Sequence, residues 1–196
     1  MCTYKGIVFA QVTPGIFDFN TSDTVIAPYL DRVLREYKSP WQVCSWHKNQ
    51  AKMQTGAKTN GTQWGVYDTC RLHGAMIATG HEHSWSRTYL MTNFEHQTVA
   101  STNGSYLALK PGESFAFVNG LGGRSVRGDL ICSKAGSCPW WASKVNADTG
   151  VKAAALFCRY HVRGIPTLAD CYLKDIDGRI LDQFTIDASG LNPNSS

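Results

Sequence analysis

Three histidines stand at positions where the sequence could hold metal ions. His47 directly follows an apolar run over 41–46, and His81 and His83 closely follow a second apolar run over 75–79. Neutral imidazole is the commonest side-chain ligand for zinc, iron and similar metals. Two histidines one residue apart on a loop can reach two neighbouring ions if the backbone between them turns. The pattern therefore predicts a metal site built from these three side chains.

Two more residues belong to this predicted site. Gly80 precedes the paired histidines and would let the backbone approach bound ions closely. Arg87 lies four residues after His83, and its guanidinium is a candidate ligand for a phosphate oxygen. A lone histidine on a loop is more often solvent-exposed or hydrogen-bonded, and we interpret three residues in this way: His73, His96 and His161.

The elements that must position these residues alternate between strand and helix in the first ninety residues. Buried strands are predicted over 6–12, 41–46 and 75–79, and helices over 21–37 and 64–72. This alternation predicts an α/β layered fold. Ligands of open α/β sheets gather at the carboxyl ends of the strands, which is where the histidines lie. The polar loop over 48–62 is long enough to indicate a functional role.

The second half of the chain has a different character. Short strands are predicted over six ranges: 89–93, 106–109, 115–119, 153–160, 167–173 and 180–186. A turn signal at 175–178 joins the last two strands into a hairpin. The polar tail over 188–196 is predicted to fray. We therefore expect one domain over residues 1–187.

Composition places the chain among ordinary globular proteins. Its 196 residues are 43% hydrophobic and 17% charged, with a formal net charge of +4. No apolar run is long enough for a membrane span, and basic residues do not cluster with aromatic ones. We therefore expect neither a membrane-spanning segment nor a nucleic-acid partner.

Sequons and cysteines indicate a protein that is secreted or passes through the secretory pathway, although residues 1–6 lack the apolar core of a signal peptide. Candidate glycosylation sites are Asn20, Asn60, Asn103 and Asn194. Cys132 and Cys138 flank a short polar loop and are a plausible disulfide, and Cys158 and Cys171 lie in neighbouring strands and could pair. For Cys44, a buried free thiol is at least as plausible as a disulfide. Because the chain has seven cysteines, at least one is unpaired within it.

Four segments carry a resemblance to a known family. Residues 80–88, Gly-His-Glu-His-Ser-Trp-Ser-Arg-Thr, resemble the Gly-His-x-His signature of the calcineurin-like metallophosphoesterases, and the Ser-x-Ser-Arg extension resembles their purple-acid-phosphatase-like branch. Residues 41–48 resemble the family strand that ends in a metal-binding histidine, and residues 117–123 resemble its glycine-rich strand end. The turn and strand over 177–184 fit the closing hairpin.

The resemblance implies a fold and a chemistry. The fold would be the C-terminal part of a four-layer metallophosphoesterase β-sandwich flanked by helices. His47 and His81 would ligate one metal ion and His83 a second, with Fe, Zn or Mn as the candidate metals. Phosphate esters would be hydrolysed by attack of a metal-bound hydroxide, while the two ions neutralise the developing charge.

The acidic half of the family's site is absent from this sequence. The Asp-x-His, Gly-Asp-x-x-Asp and Gly-Asn-His-Glu motifs would all precede residues 6–12, and Gly128-Asp129 stands in the wrong place with the wrong neighbours. Without a bridging carboxylate, nothing offsets the repulsion between two close cations. We therefore expect the chain alone to be inactive and to hold one ion or none.

Two hypotheses follow for function. In the first, the chain is the C-terminal portion of a two-metal phosphoesterase, completed by a missing N-terminal half or by a complementing chain. In the second, it is a catalytically inactive, phosphoesterase-derived structural or binding subunit of a larger assembly. They differ in whether the completed protein binds two metal ions and hydrolyses a phosphate ester.

Overall fold

A computed structural model describes residues 1–16, 18–128, 131–132 and 137–191. A π-helical turn over Ser22–Ile26 leads into α1 (Ala27–Glu36), and α2 spans Gly65–Leu72. The strands are β1 (Cys2–Tyr4), β2 (Ile7–Gln11), β3 (Gln42–Ser45), β4 (Met76–Thr79), β5 (Trp85–Thr88), β6 (Leu90–Asn93), β7 (Thr98–Ser101), β8 (Tyr106–Ala108), β9 (Ala116–Asn119), β10 (Trp141–Val145), β11 (Ala154–Tyr160), β12 (Leu168–Asp175) and β13 (Ile180–Asp187).

The larger sheet has seven strands in the order β1-β2-β3-β4-β9-β5-β10. Its central strands β2, β3, β4 and β9 are parallel, whereas β1, β5 and β10 run antiparallel to their neighbours. Parallel strands are normally covered on both faces, which explains the continuous apolar runs of β3 and β4. The parallel register brings the carboxyl ends of β3 and β4 to the same edge of the sheet.

Helices α1 and α2 cover one face of this sheet, which we call the helix face. Ala10, Cys44 and Ile77 project from neighbouring strands into a core that the helices complete. A disulfide joins Cys44 of β3 to Cys70 of α2. The interpretation of Cys44 as a free thiol is therefore wrong, because the apolar strand that buries it also faces a cysteine on the covering helix. Among the described residues, Cys2 is the free cysteine.

A second sheet packs on the opposite face, which we call the sandwich face. Its strand order is β11-β12-β13-β8, with β13 and β8 parallel. Phe115 of the first sheet contacts Phe184 of the second, at a ring-centroid distance of 5.8 Å. A cavity of about 410 Å³ lies between the sheets; it is lined largely by apolar side chains and is half open to solvent. Strands β6 and β7 form a separate two-stranded sheet.

Two further disulfides connect the cysteines proposed as pairs from the sequence. Cys158 and Cys171 lie opposite each other on β11 and β12. Cys132 and Cys138 close a short loop. The three disulfides fit a protein of the secretory pathway, because such bonds persist in oxidising compartments.

The predicted α/β sandwich flanked by helices is confirmed. The described residues provide three layers: helices, the seven-stranded sheet and the four-stranded sheet. Strands β1, β5, β7 and β10 were not predicted. No helix within the described ranges is long and apolar enough to cross a membrane.

The folded body also extends beyond residue 187. Ala188 is fully buried and its N–H donates to the Thr167 carbonyl, and a 3₁₀ turn over Ser189–Leu191 follows. The expectation of a frayed tail is therefore wrong for residues 188–191, because the buried side chain and the backbone hydrogen bond of Ala188 fix the beginning of this segment. Asn194 and the rest of 192–196 lie outside the described residues.

Candidate functional site at the carboxyl ends of β3 and β4

His47 and His81 meet at the edge of the parallel sheet, as the sequence predicted from the ends of their strands. Nδ1 of His81 lies 3.0 Å from Nε2 of His47, with the rings inclined at 71°. The His47 carbonyl accepts hydrogen bonds from the N–H groups of Gly80 (3.4 Å) and His81 (3.0 Å). These bonds continue the pairing of β3 with β4 into the following loops. The backbone itself therefore holds the two imidazoles against each other.

His83 is held by a different part of the chain. Its Nδ1 lies 2.9 Å from Oγ of Ser125, and its carbonyl accepts the N–H of Arg127 at 2.9 Å. Both partners belong to the segment that follows β9. The single-residue spacing between His81 and His83 thus directs one imidazole toward β3 and the other toward the β9 side, the divergence that a site with two ligand positions requires.

The residue between the two histidines, Glu82, is fully buried. Its Oε1 accepts the N–H of His83 at 3.2 Å, and its Oε2 lies 3.7 Å from Nη1 of Arg127. A Cβ at Gly56 would come within 2.3 Å of this carboxyl group, and one at Gly120 within 1.8 Å of the Glu82 carbonyl oxygen. Two glycines therefore make room for a buried carboxylate directly below the histidines.

Gly80 was predicted to let the backbone approach bound ions, and this stays a prediction. A Cβ at Gly80 would meet only the Asn119 carbonyl oxygen, at an ordinary contact distance of 3.8 Å. Gly80 directly follows β4, and the space around it is open because the following backbone turns away toward the His47 loop.

The long loop over 48–62 is folded onto the site by buried polar side chains. Asn49 donates to Thr79 Oγ1 at the end of β4 (2.5 Å), and Thr55 Oγ lies 3.2 Å from Ser84 Oγ. Gln54 donates to the Lys58 carbonyl at 2.8 Å. These anchors bring Lys58 over the histidine loop, where its ammonium donates to the His81 carbonyl. The loop whose length indicated a function therefore lines the candidate site.

Positive charge surrounds the histidines. Burial, and after it the charge of Lys58, lowers the pKa of His81 to about 4. Burial, followed by the charge of Arg127, also lowers the pKa of His83. Burial lowers the pKa of Lys58 itself. At pH 7 His81 is therefore neutral, and a ring nitrogen can bind a metal ion or accept a hydrogen bond through its lone pair.

The His47 and His81 rings are joined by a hydrogen bond, and the separation of the two nitrogens also lies in the range of two ligands of one ion. Metal–nitrogen bonds of about 2.0–2.1 Å place two ligand nitrogens about 2.9–3.4 Å apart at bond angles near 90–110°, and the observed distance is 3.0 Å. In the described part of the chain, no group of three or more His, Cys, Asp or Glu side chains is arranged to hold a metal. His47 and His81 could provide two ligands of one ion, but the described residues near them do not form a complete metal site.

Arg87 lies in the interior of the sandwich and not beside the histidines. It is 1% exposed, and its Nε and Nη2 donate to the two carboxylate oxygens of Asp182 at 2.8 and 2.9 Å. Its guanidinium also lies 4.0 Å from the ring centroid of Phe184. The predicted contact of Arg87 with phosphate is corrected accordingly: alternation along β5 turns this side chain between the sheets, where a buried carboxylate balances its charge.

Other predicted residues occupy the surface. Asn20, Asn60 and Asn103 are exposed, as glycosylation sites would be. The side chain of Asn103 also organises its turn, because its Oδ1 accepts the N–H groups of Ser105 and Tyr106, each at 3.1 Å. Attachment of glycans to these asparagines remains a prediction.

Sequence reasoning missed Lys58, Arg127 and Ser125 as neighbours of the histidines. Lys58 carried one signal, its place in an unusually long loop. Ser125 and Arg127 reach the site only because β9 pairs with β4 in parallel and β5 returns beside β9. No local pattern in residues 120–128 encodes that placement.

Comparisons with known proteins support the fold. No protein-family model matches the chain, and no curated protein matches it. The structure is similar to that of purple acid phosphatase PPD1 from yellow lupin (Lupinus luteus) seeds, with a TM-score of 0.70 and 14% sequence identity. That similarity covers 91% of this chain and 30% of the lupin chain. A match to PhoD has a TM-score of 0.49 and 15% identity, covering 83% of this chain and 33% of that one.

The fold of this chain is therefore similar to that of part of a purple acid phosphatase. The relationship is distant, and it concerns the fold. The chain spans less than a third of the length of the lupin enzyme.

Proposed function

We propose that this chain is the C-terminal, histidine-bearing portion of a two-metal phosphoesterase, which hydrolyses phosphate esters once an acidic half is supplied. The observation that carries the proposal is the 3.0 Å contact between His47 and His81 at the carboxyl ends of two parallel strands. Backbone hydrogen bonds between the loops hold these nitrogens at a distance suited to one ion. The similarity to 30% of a purple acid phosphatase chain supports the same assignment.

Each histidine has a separate role in this proposal. His47 and His81 hold one ion, and His83 contributes to a second position on the side of Ser125. When bound, the metal pair would neutralise charge on the phosphoryl group and activate water. The chain's own part is to keep these imidazoles oriented, through the His47 carbonyl and the Ser125 hydroxyl, before any metal arrives.

The surrounding charges explain why the acidic half is needed. Lys48, Lys58 and Arg127 all act on His81, whereas Glu82 is buried beneath the loop. Two cations placed here would meet positive side chains and each other's charge. Bridging carboxylates from a preceding segment or a partner chain would reverse that balance.

The test measures metal content and phosphatase activity of the protein purified from its source. We expect the complete protein to bind two metal ions per chain and to hydrolyse p-nitrophenyl phosphate. The isolated 196 residues should not bind two ions and should not hydrolyse this ester. Substitution of a residue that only contacts a metal ligand typically weakens metal binding about 10–100-fold. In the complete protein, His81→Asn removes a ligand itself and should weaken metal binding by more than this.

His161→Asn is the matched control, since His161 is exposed and has a left-handed backbone (φ 56°) that asparagine accepts. It should leave metal content and activity unchanged. A source-purified protein that contains the acidic motifs but neither binds two ions nor cleaves phosphate esters would overturn the proposal.

A second candidate function is a binding subunit without catalytic activity. The positive surroundings of the histidines favour it, because they disfavour cations in the isolated chain. It predicts that the mature protein begins near Met1 and remains metal-free in its native assembly. Mass spectrometry of the intact protein from its source distinguishes the two candidates.

A further inference from the structure

Four basic side chains surround the histidine loop, and we call them the basic rim: Lys48, Lys58, Arg124 and Arg127. Lys58 contacts the His81 carbonyl through its ammonium group. Arg127 is fixed by its backbone N–H to the His83 carbonyl, while 45% of its side chain stays exposed. Arg124 is exposed one residue before Ser125, whose hydroxyl meets His83. The rim therefore comes from two loops that converge on the same two histidines.

Among the described residues, the acidic side chains near the basic rim carry less charge than the rim itself. Lys48 donates to a neutral group, the Gly15 carbonyl, at 2.7 Å. Glu82 faces the rim as a carboxylate, is fully buried, and lies 3.7 Å from Arg127, longer than a hydrogen bond. Within the described ranges, four positive groups thus face one ion-paired carboxylate, which solvent does not reach. Such a site attracts an anion and disfavours an isolated cation.

The donors of the site suit a tetrahedral oxyanion. A guanidinium and an ammonium give charge-assisted hydrogen bonds to phosphate oxygens. The Ser125 hydroxyl and the imidazole of His83 add neutral hydrogen-bonding groups beside them. A dianion gains more than a monoanion in this field, so phosphate should be preferred over acetate.

We infer that the metal-free chain binds an oxyanion of the phosphate class, either free phosphate or the terminal group of a monoester, between Lys58, Arg127 and His83. This goes beyond the proposed function, because it requires neither a metal ion nor the acidic half. In the complete protein Lys58 and Arg127 would receive the phosphoryl end of a substrate, while His83 would serve the metal site. In the isolated chain all three groups make a binding site without catalysis.

Isothermal titration of the metal-stripped 196-residue chain, with a chelator present, tests the inference. Inorganic phosphate, phenyl phosphate and acetate are the probes. We expect saturable one-to-one binding of inorganic phosphate and much weaker binding of acetate. Saturable binding of phenyl phosphate as well would show that the site accepts a monoester, and its failure would restrict the site to the free anion.

Variants locate the site. Lys58→Met and Arg127→Met should each weaken phosphate binding about tenfold or more, whereas Lys58→Arg should stay within a few-fold of the parent chain. Matched controls are Lys110→Met and Arg35→Met, since both side chains are exposed and lie in surface ion pairs. Circular dichroism establishes that each variant is folded.

Three results would overturn the inference. They are an absence of saturable phosphate binding, binding that appears only after a metal is added, and equal losses in the rim and control variants. These outcomes are separate from those of the proposed function. If the metal-free chain binds phosphate, the inference holds even when the complete protein binds no metal. If the complete protein is a metal-loaded phosphoesterase but the metal-free chain does not bind phosphate, the inference is wrong.

Discussion

The two faces of the seven-stranded sheet are built differently. On the helix face, small and medium side chains such as Ala10 and Cys44 are fully buried under α1 and α2, and a disulfide ties strand to helix. On the sandwich face, the four-stranded sheet leaves a cavity of about 410 Å³, and a buried ion pair joins Arg87 to Asp182. The same strands therefore contribute to one core that is tied by a disulfide and to one that borders a half-open cleft and contains a buried ion pair.

This contrast indicates where stability and function separate. A core with a covalent tie fixes the ends of β3 and β4, and hence the positions of His47 and His81. Empty space in a core lowers stability, because side chains beside it lose packing partners. The helix face thus holds the candidate site in place, while the sandwich face carries the weaker packing.

The largest expected effect comes from breaking the ion pair of the sandwich face. Asp182→Asn leaves the Arg87 charge buried without a counter-charge and should cost about 3–5 kcal/mol in the free energy of unfolding. Urea denaturation measures it. Glu36→Gln is the control, because its ion pair with Arg32 is exposed on α1 and should contribute less than about 0.5 kcal/mol. Equal effects of the two variants would show that Arg87 is solvated.

The next largest effect concerns the covalent tie of the helix face. The double variant Cys44→Ser, Cys70→Ser should lose about 2–4 kcal/mol, since the disulfide closes a 26-residue separation in the unfolded chain. Thermal unfolding under non-reducing conditions measures the loss. Cys2→Ser, which removes the exposed free thiol, should leave the midpoint unchanged. A stable double variant would mean that helix packing alone fixes the strand ends.

The smallest expected effect is the change in the free energy of unfolding when a methylene is added to a core, and its sign should differ between the two faces. Val43→Ile adds a methylene beside the cavity and should stabilise the protein by about 0.8 kcal/mol. Val66→Ile adds the same group to the fully buried helix-face core and should destabilise it by about 1 kcal/mol or more. Comparing the two urea midpoints tests the contrast directly. Destabilisation by both variants would show that the sandwich face is as tightly packed as the helix face.

Sequence patterns predicted the helix-covered half well. Continuous apolar runs over 41–46 and 75–79 gave β3 and β4, because parallel strands are buried on both sides. Strand β5 was missed, since the buried Ser86 and Arg87 look like loop residues. The buried charge of Arg87 is balanced by Asp182, 95 residues later in the chain. The partner of Cys44 was hidden for a similar reason, because Cys70 reaches it only when α2 packs on the sheet.

The candidate site was predictable in part. The meeting of His47 and His81 followed from the rule that parallel strands end at one edge of the sheet. The basic rim did not follow, because Lys58 is delivered by buried polar anchors such as Asn49 and Thr55. Arg127 depends on the pairing of β9 between β4 and β5. Both require contacts between segments far apart in the chain.

The order of strands also has consequences for the kinetics of folding. β8 pairs in parallel with β13, about eighty residues later, and Trp41 donates its indole N–H to the Pro166 carbonyl. The four-stranded sheet cannot be completed until β13 has been synthesised. Chains dominated by such distant pairings fold slowly, and their unpaired edges stay exposed to aggregation meanwhile. During translation, about eighty further residues must therefore be added before β13, the partner of β8, is complete.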